Sequence, residues 1–316
     1  MFYYLKLTFR GLIKNRLHSI INIIGLTIGL TACSFIMLWV LDEKSYDRFH
    51  ENADEIYMGI AHFTNSDFLN NTERTPGLFA PAANENFTAI TDYCRIRSDI
   101  TGYILADGKN TDEKKVIIAD STFFTFFNFP VITGSPWELL RKPDEVVISE
   151  ILAMELFGSD NPIGKTITTK GITESYEYTD KHYHIAAVMK DLPANTSLPR
   201  ADVVIPQKSD PYFIYSDYWN GWGGCEFLSF IKVKKGTNID QLAKDIINLQ
   251  TVERHNRYFT LQPLVNIHLY NLDGSPAGIK TVWIFIWIAC AIIIISCINY
   301  VNLVTDRKST RLNSSH

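Results

Sequence analysis

The chain has 316 residues, 46% hydrophobic and 20% charged, with a mean hydropathy of −0.01 and a net charge of −4. Its length allows about two soluble domains, or one domain plus membrane spans. The apolar residues are segregated: Ile20 to Leu41 and Thr281 to Thr305 contain no charged side chain. Each run exceeds the roughly 20 residues that cross a hydrocarbon core about 30 Å thick, which argues against a purely cytosolic enzyme.

Taken in chain order, residues 1–41 carry Lys6, Arg10, Lys14 and Arg16 and no acidic side chain. Basic residues beside a first span set its orientation, so the N-terminus is expected in the cytoplasm. The four-residue spacing of Lys6, Arg10 and Lys14 predicts a cytoplasmic interfacial helix over 1–19, equally readable as an extension of the span with snorkelling side chains. The first span, 20–41, starts too late and runs too long for a signal-peptide core, and no small-x-small cleavage site precedes Asp42. Within it Gly25, Gly29 and Cys33 recur every fourth position, a spacing that lets two helix backbones approach closely. The second span, 281–305, carries Asn299, Tyr300 and Asn302 near its end, polar side chains that favour a protein partner over lipid.

Between the spans, Asp42 to Lys280 holds 23 basic and 33 acidic residues, a net charge of −10 that is unsuited to nucleic acid. Strand-like runs occur in IYMGIAHF, YCRIR, KKVIIA, EVVI, HIAAV, ADVVI, FLSFIKV and RYFTLQPL. Helices are predicted at Pro76 to Phe87, Ser121 to Phe127, Ser149 to Phe157 and Asn238 to Leu249, several behind a Ser or Asn cap. This mixed order predicts an α+β extracytoplasmic domain, in two lobes because 239 residues approach the limit of one core. In FGSDNPIGK, Gly158 and Gly164 supply positive φ and Pro162 fixes its own, so the stretch ends a helix and starts a strand. FFTFF is expected in the core.

A search for chemistry finds little. His182 and His184 in KHYH share one face of a strand, the spacing of a two-ligand metal site, but no Cys or carboxylate cluster adjoins them in sequence; the structural reading is favoured, with no metal, cofactor or catalytic residue assigned. No GxSxG elbow is present. GSDNPIGKT approaches a phosphate loop, yet its glycines stand one position too far apart. Cys94 and Cys225 are the only cysteines outside the spans, so at most one disulfide is available there.

Six stretches, in order, resemble the first half-unit of MacB/FtsX-like ABC transporter permeases. They are SYDRFHENADEIY from Ser45 to Tyr57, ADSTFFTFFNFPVITGSP, VVISEILAMELFGSDNPIGKTI, DLPANTS from Asp191, PLVNIHL from Pro263, and CINYVNL from Cys297. The motif residues are Tyr46, Asp47, Phe49, His50, Phe157, Gly158, Pro162, Gly164, Asp191, Leu192, Pro193, Pro263, Leu264, His268, Asn299 and Tyr300. Asn266 and Arg200 depart from the usual pattern. The resemblance implies a permease without its own ATP hydrolysis, working with a separate cytoplasmic ATPase, a second permease half-unit (a homodimer or a fused repeat) and a periplasmic adaptor protein, in contact with membrane lipid and with no nucleic acid. It also implies residence in a bacterial inner membrane with residues 42–280 periplasmic. A membrane-proximal lobe is expected from 42–119 and 223–280, with an inserted lobe over 120–222. Residues 306–316 resemble an artefactual tail, so the chain is expected to be a fragment. A two-span sensor with an extracytoplasmic ligand-binding domain fits the topology equally well but not the motifs, and a membrane-anchored hydrolase is disfavoured by the missing nucleophile.

Overall fold

The computed structural model describes residues 16–64, 71–170, 180–210, 216–247, 249 and 257–312, with backbone alone for 16–19, 216 and 302–312. Most of the interfacial helix expected over 1–19 therefore lies outside the described residues, as does the end of the tail. The chain divides into two compact units, one formed by its two ends and one by Tyr46–Ser275.

Among its described residues the first unit has two long helices, α1 (Arg16–Glu43) and α7 (Gly278–Leu312). Ile20–Glu43 and Gly278–Val301 are long and apolar enough to cross a membrane, and most of their side chains are exposed to what would be lipid. Helix α7 starts three residues before the expected span and continues past Thr305.

Among the described residues, the second unit is built on one twelve-stranded sheet. Its elements are β1 (Ile56–Phe63), β2 (Asn71–Thr72), α2 (Phe79–Asn86), β3 (Ile90–Ala106), β4 (Lys109–Asn110), β5 (Lys114–Ala119), α3 (Phe123–Phe126), β6 (Val131–Thr133), β7 (Glu145–Ser149), α4 (Glu150–Phe157), β8 (Thr166–Lys170), β9 (Lys181–Met189), β10 (Val203–Pro206), α5 (Ser216–Asn220), β11 (Leu228–Val233), α6 (Ile239–Ile247) and β12 (Arg257–Pro263). The strand order is β12-β1-β11-β3-β5-β10-β7-β9-β6, with β2, β4 and β8 pairing at the sides. Strands before Asp120 and after Trp222 thus fill one half of the sheet, and strands from the intervening segment fill the other. The halves meet where β10 runs parallel to β5, Val203 opposite Val116, and again where β8 pairs antiparallel with the far end of β3, Thr169 opposite Ile104.

Alternation along the strands sends successive side chains to opposite faces. Ile117, Val147 and Val204 face a core roofed by Phe123, Phe124, Phe126, Phe127 and Phe129. Their neighbours Val116, Ile118, Val146, Ile148, Val203 and Ile205 face a second core under α4. At the other end of that second face, α2 and α6 pack Phe79, Ala83, Leu242 and Ile246 against Ile231 and Phe259. Fully burying a Phe or Ile side chain contributes about 1.5–3 kcal/mol, so each of these short helices is held by its apolar face rather than by propensity.

Local sequence explains the joints. The Ser149 hydroxyl accepts a hydrogen bond from the Leu152 amide (3.1 Å), which starts α4, and Gly158 ends it at φ 62°. Asn161 Oδ1 then accepts from the Ile163 amide and Gly164 takes φ 78°, turning the chain into β8. In β3 the register slips between Arg97 and Ile100, where Asp99 adopts φ 63°; beyond this irregularity the strand runs on to pair with β8.

Candidate functional site

The segment after α1 gathers three distant parts of the domain. Tyr46 stacks on His268 with ring centroids 3.5 Å apart and planes within 3°. Asp47 is fully buried at φ 57°. Its amide donates to the Asn195 carbonyl (3.0 Å), and its Oδ1 accepts from Thr196 Oγ1 (2.9 Å) and the Ser197 amide (2.8 Å). A carboxylate tolerates the left-handed region better than most side chains, because a short polar group can bond locally there. Here that conformation aims the carboxylate at the 195–197 turn.

His50, also buried, donates from Nδ1 to the Phe127 carbonyl (2.8 Å) and lies against Phe127 and Phe129. Burial pushes its pKa below 6.5, opposed by the Phe127 hydrogen bond and the Asp47 charge. Among the described residues, Asp47 Oδ2, His50 Nε2 and Ser197 Oγ have no hydrogen-bond partner. Phe49 stays largely exposed against the His50 ring, while Leu264 and Leu192 add apolar contacts to the same core. The YDRFH segment therefore joins the Phe-rich stretch, the DLPANTS loop and the PLVNIHL stretch at one junction.

The remaining expected motif residues lie elsewhere in their unit. Phe157 is buried under Lys165, whose Nζ stands 4.5 Å from the ring centre, and Gly158, Pro162 and Gly164 form the turn after α4. Asp191 and Pro193 are on the loop leading to the junction, and Pro263 closes β12. Sequence reasoning missed a second buried polar group. Arg95 on β3 binds Asp120 through Nε (2.9 Å) and a terminal nitrogen (3.0 Å), and donates to the Gly77 and Trp219 carbonyls (2.7 and 2.5 Å). Two positions on, Arg97 lies 3.4 Å from Asp210, which also accepts from Trp219 Nε1 (3.0 Å). The only local signal was Arg at alternate positions of a strand with Cys94 and Ile96 facing the core.

In the helical unit, the small-residue spacing of α1 faces α7. A Cβ added to Gly25 would stand 3.6 Å from Asn299 Nδ2, and one added to Gly29 would collide with the Ser296 hydroxyl. Cys33 Sγ donates to the Ala289 carbonyl (3.4 Å). Tyr300 is exposed, and the Asn302 side chain lies outside the described residues. Cys94 and Cys225 are both free thiols, Cys94 fully buried.

Residues 19–249 match the family model of the MacB-like periplasmic core domain. The chain belongs to that family. A permease-protein domain from Porphyromonas gingivalis shares 23% identity over 68% of this chain and 91% of its own, with a TM-score of 0.56, and so shares the fold. The periplasmic region of MacB from Actinobacillus actinomycetemcomitans aligns at 14% identity over 66% and 89%, TM-score 0.45. The extracellular domain of the noncanonic ABC-type transporter YknZ from Gram-positive bacteria aligns at 13% over 65% and 99%, TM-score 0.40. None of the curated proteins compared with the chain matches it. The chain therefore carries a MacB-like periplasmic core domain of the ABC-type permease family, a transporter component, as a mixed α/β domain between two apolar helices. That arrangement fits an inner-membrane protein.

Proposed function

We propose that the chain relays the motion of a separate cytoplasmic ATPase to its periplasmic domain, for export or extraction of a substrate. In this reading the N-terminus is cytoplasmic and residues 42–280 are periplasmic. A second half-unit completes the permease, and a periplasmic adaptor protein is a further partner. The Tyr46–His268 stack carries the reading: the two chain segments that lead to the spans, one ending at Tyr46 and the other starting after His268, are clasped together at the junction. Displacement arriving along either segment therefore enters the domain at one place, beside the buried Asp47 and His50. The two halves of the sheet are the lobes between which that displacement is shared.

The test uses the complete protein reconstituted with its ATPase. Tyr46→Ala should leave basal ATP turnover intact and uncouple it from the periplasmic domain, seen as loss of substrate-stimulated turnover. ATP hydrolysis by the chain alone would refute the reading, and full stimulation in Tyr46→Ala would remove the junction from it.

A further inference from the structure

The proposed relay does not draw on the KHYH stretch. Along β9, Tyr183 and Ile185 enter the core while His182 and His184 stand on the opposite, exposed face. The neighbouring strand β8 sets Thr168 opposite His182 and Thr166 opposite His184. Both threonine hydroxyls meet an imidazole, at 2.9 Å for His182 Nδ1 and 3.2 Å for His184 Nδ1. Both rings are thus held through Nδ1, and among the described residues no hydrogen bond engages either Nε2. On the other side of β9, Glu145 of β7 stands opposite His184, its carboxylate held by Lys142 at 2.7 Å. Lys170, further along the same face of β8, lies 3.5 Å from Asp180.

We infer that His182 and His184 form a two-imidazole binding site for a divalent transition-metal cation, Zn²⁺ or Cu²⁺, on the exposed face of β9. Alternate strand positions lie on one side about 6.6 Å apart along the backbone, within the span of two imidazoles leaning toward a common ion. Imidazole nitrogen suits Zn²⁺ and Cu²⁺, whereas Ca²⁺ and Mg²⁺ require oxygen donors. A ligating histidine donates its other ring N–H to an oxygen acceptor; with the proton on Nδ1 each threonine hydroxyl is that acceptor, and the Nε2 lone pair is left to bind the ion. Among the described residues no three His, Cys, Asp or Glu form a closed cage, so water completes the coordination and the ion exchanges with solvent.

The full-length chain, purified in detergent without an affinity tag and stripped with a chelator, is titrated calorimetrically with Zn²⁺ and with Cu²⁺. Wild type should bind one equivalent more than the His182→Ala/His184→Ala variant, which corrects for exposed Cys290, Cys297 and other histidines. Thr166→Val/Thr168→Val should weaken binding about tenfold, because the rings lose their orienting partners. As a readout independent of any variant, electron paramagnetic resonance of the Cu²⁺ form should show coupling to two imidazole nitrogens. Equal stoichiometry in wild type and the double histidine variant, or coupling to fewer than two nitrogens, overturns the inference.

Discussion

Asp47 and His50 place a carboxylate and an imidazole in a buried junction, each with one polar atom that finds no partner among the described residues. Because burial depresses the His50 pKa, the unfolded chain takes up a proton that the folded chain refuses. The sign follows: stability is complete above the unfolded value near 6.5 and is lost as pH falls through the interval below it. Melting of the wild type should therefore drop between pH 7.5 and pH 5.5 by more than that of His50→Asn, whose amide can still donate to Phe127. Equal drops would place the acid sensitivity elsewhere. Arg95 behaves differently, because its charge is matched by Asp120 rather than avoided. Arg95→Met leaves a buried carboxylate without its cation and should cost about 3–5 kcal/mol in chemical denaturation. Arg95→Met/Asp120→Leu should recover only part of that loss, since it removes the unpaired charge but still leaves the Gly77 and Trp219 carbonyls without their donor.

At the scale of elements, α1 and α7 show how a short spacing pattern becomes a contact. Gly25, Gly29 and Cys33 stand out in the sequence by their four-residue spacing, whereas the residues opposite them, Asn299, Ser296 and Ala289, are visible only in the structure. Gly29→Ile would drive a branched side chain into Ser296 and should cost on the order of 1–2 kcal/mol of helix association without impairing insertion. With the other cysteines removed, Cys33 and Ala289→Cys should cross-link within one chain under mild oxidation, and Gly29→Ile should slow that cross-link; an unchanged rate would mean the spacing is incidental. The strands divide in a similar way. IYMGIAHF and KKVIIA stand out by their β-branched and aromatic content and match β1 and β5 end to end. By contrast β8, TITTK, shows weak apolar alternation, and the second half of β3 lies beyond an irregularity at Asp99 that interrupts any periodic signal.

For the whole molecule, the order of the six motifs pointed to the family, yet nothing in that order told which motifs touch. The contact of Asp47 with Thr196 joins residues far apart in sequence, and a capping carboxylate carries no mark of its distant acceptor loop. The junction was thus legible as four separate motifs and visible as a site only once folded. Orientation remains a matter of charge around α1: a reporter active only outside the cytoplasm should be active when fused after Asp120 and silent at the N-terminus. The reverse pattern would place the acidic domain in the cytoplasm and overturn the proposed relay.

The sheet order also dictates when the domain can finish folding during synthesis. Strand β1, among the first parts of the domain to emerge, has as its two long neighbours β11 and β12, which are among the last. Ile60 waits for Thr260, and Met58 for Phe230. Until those late strands arrive, an apolar strand of eight residues has only the two-residue β2 to cover its edges, the condition in which nascent chains pair wrongly or aggregate. Non-local pairing of this kind is intrinsically slow, which lengthens the time for which that strand stays exposed.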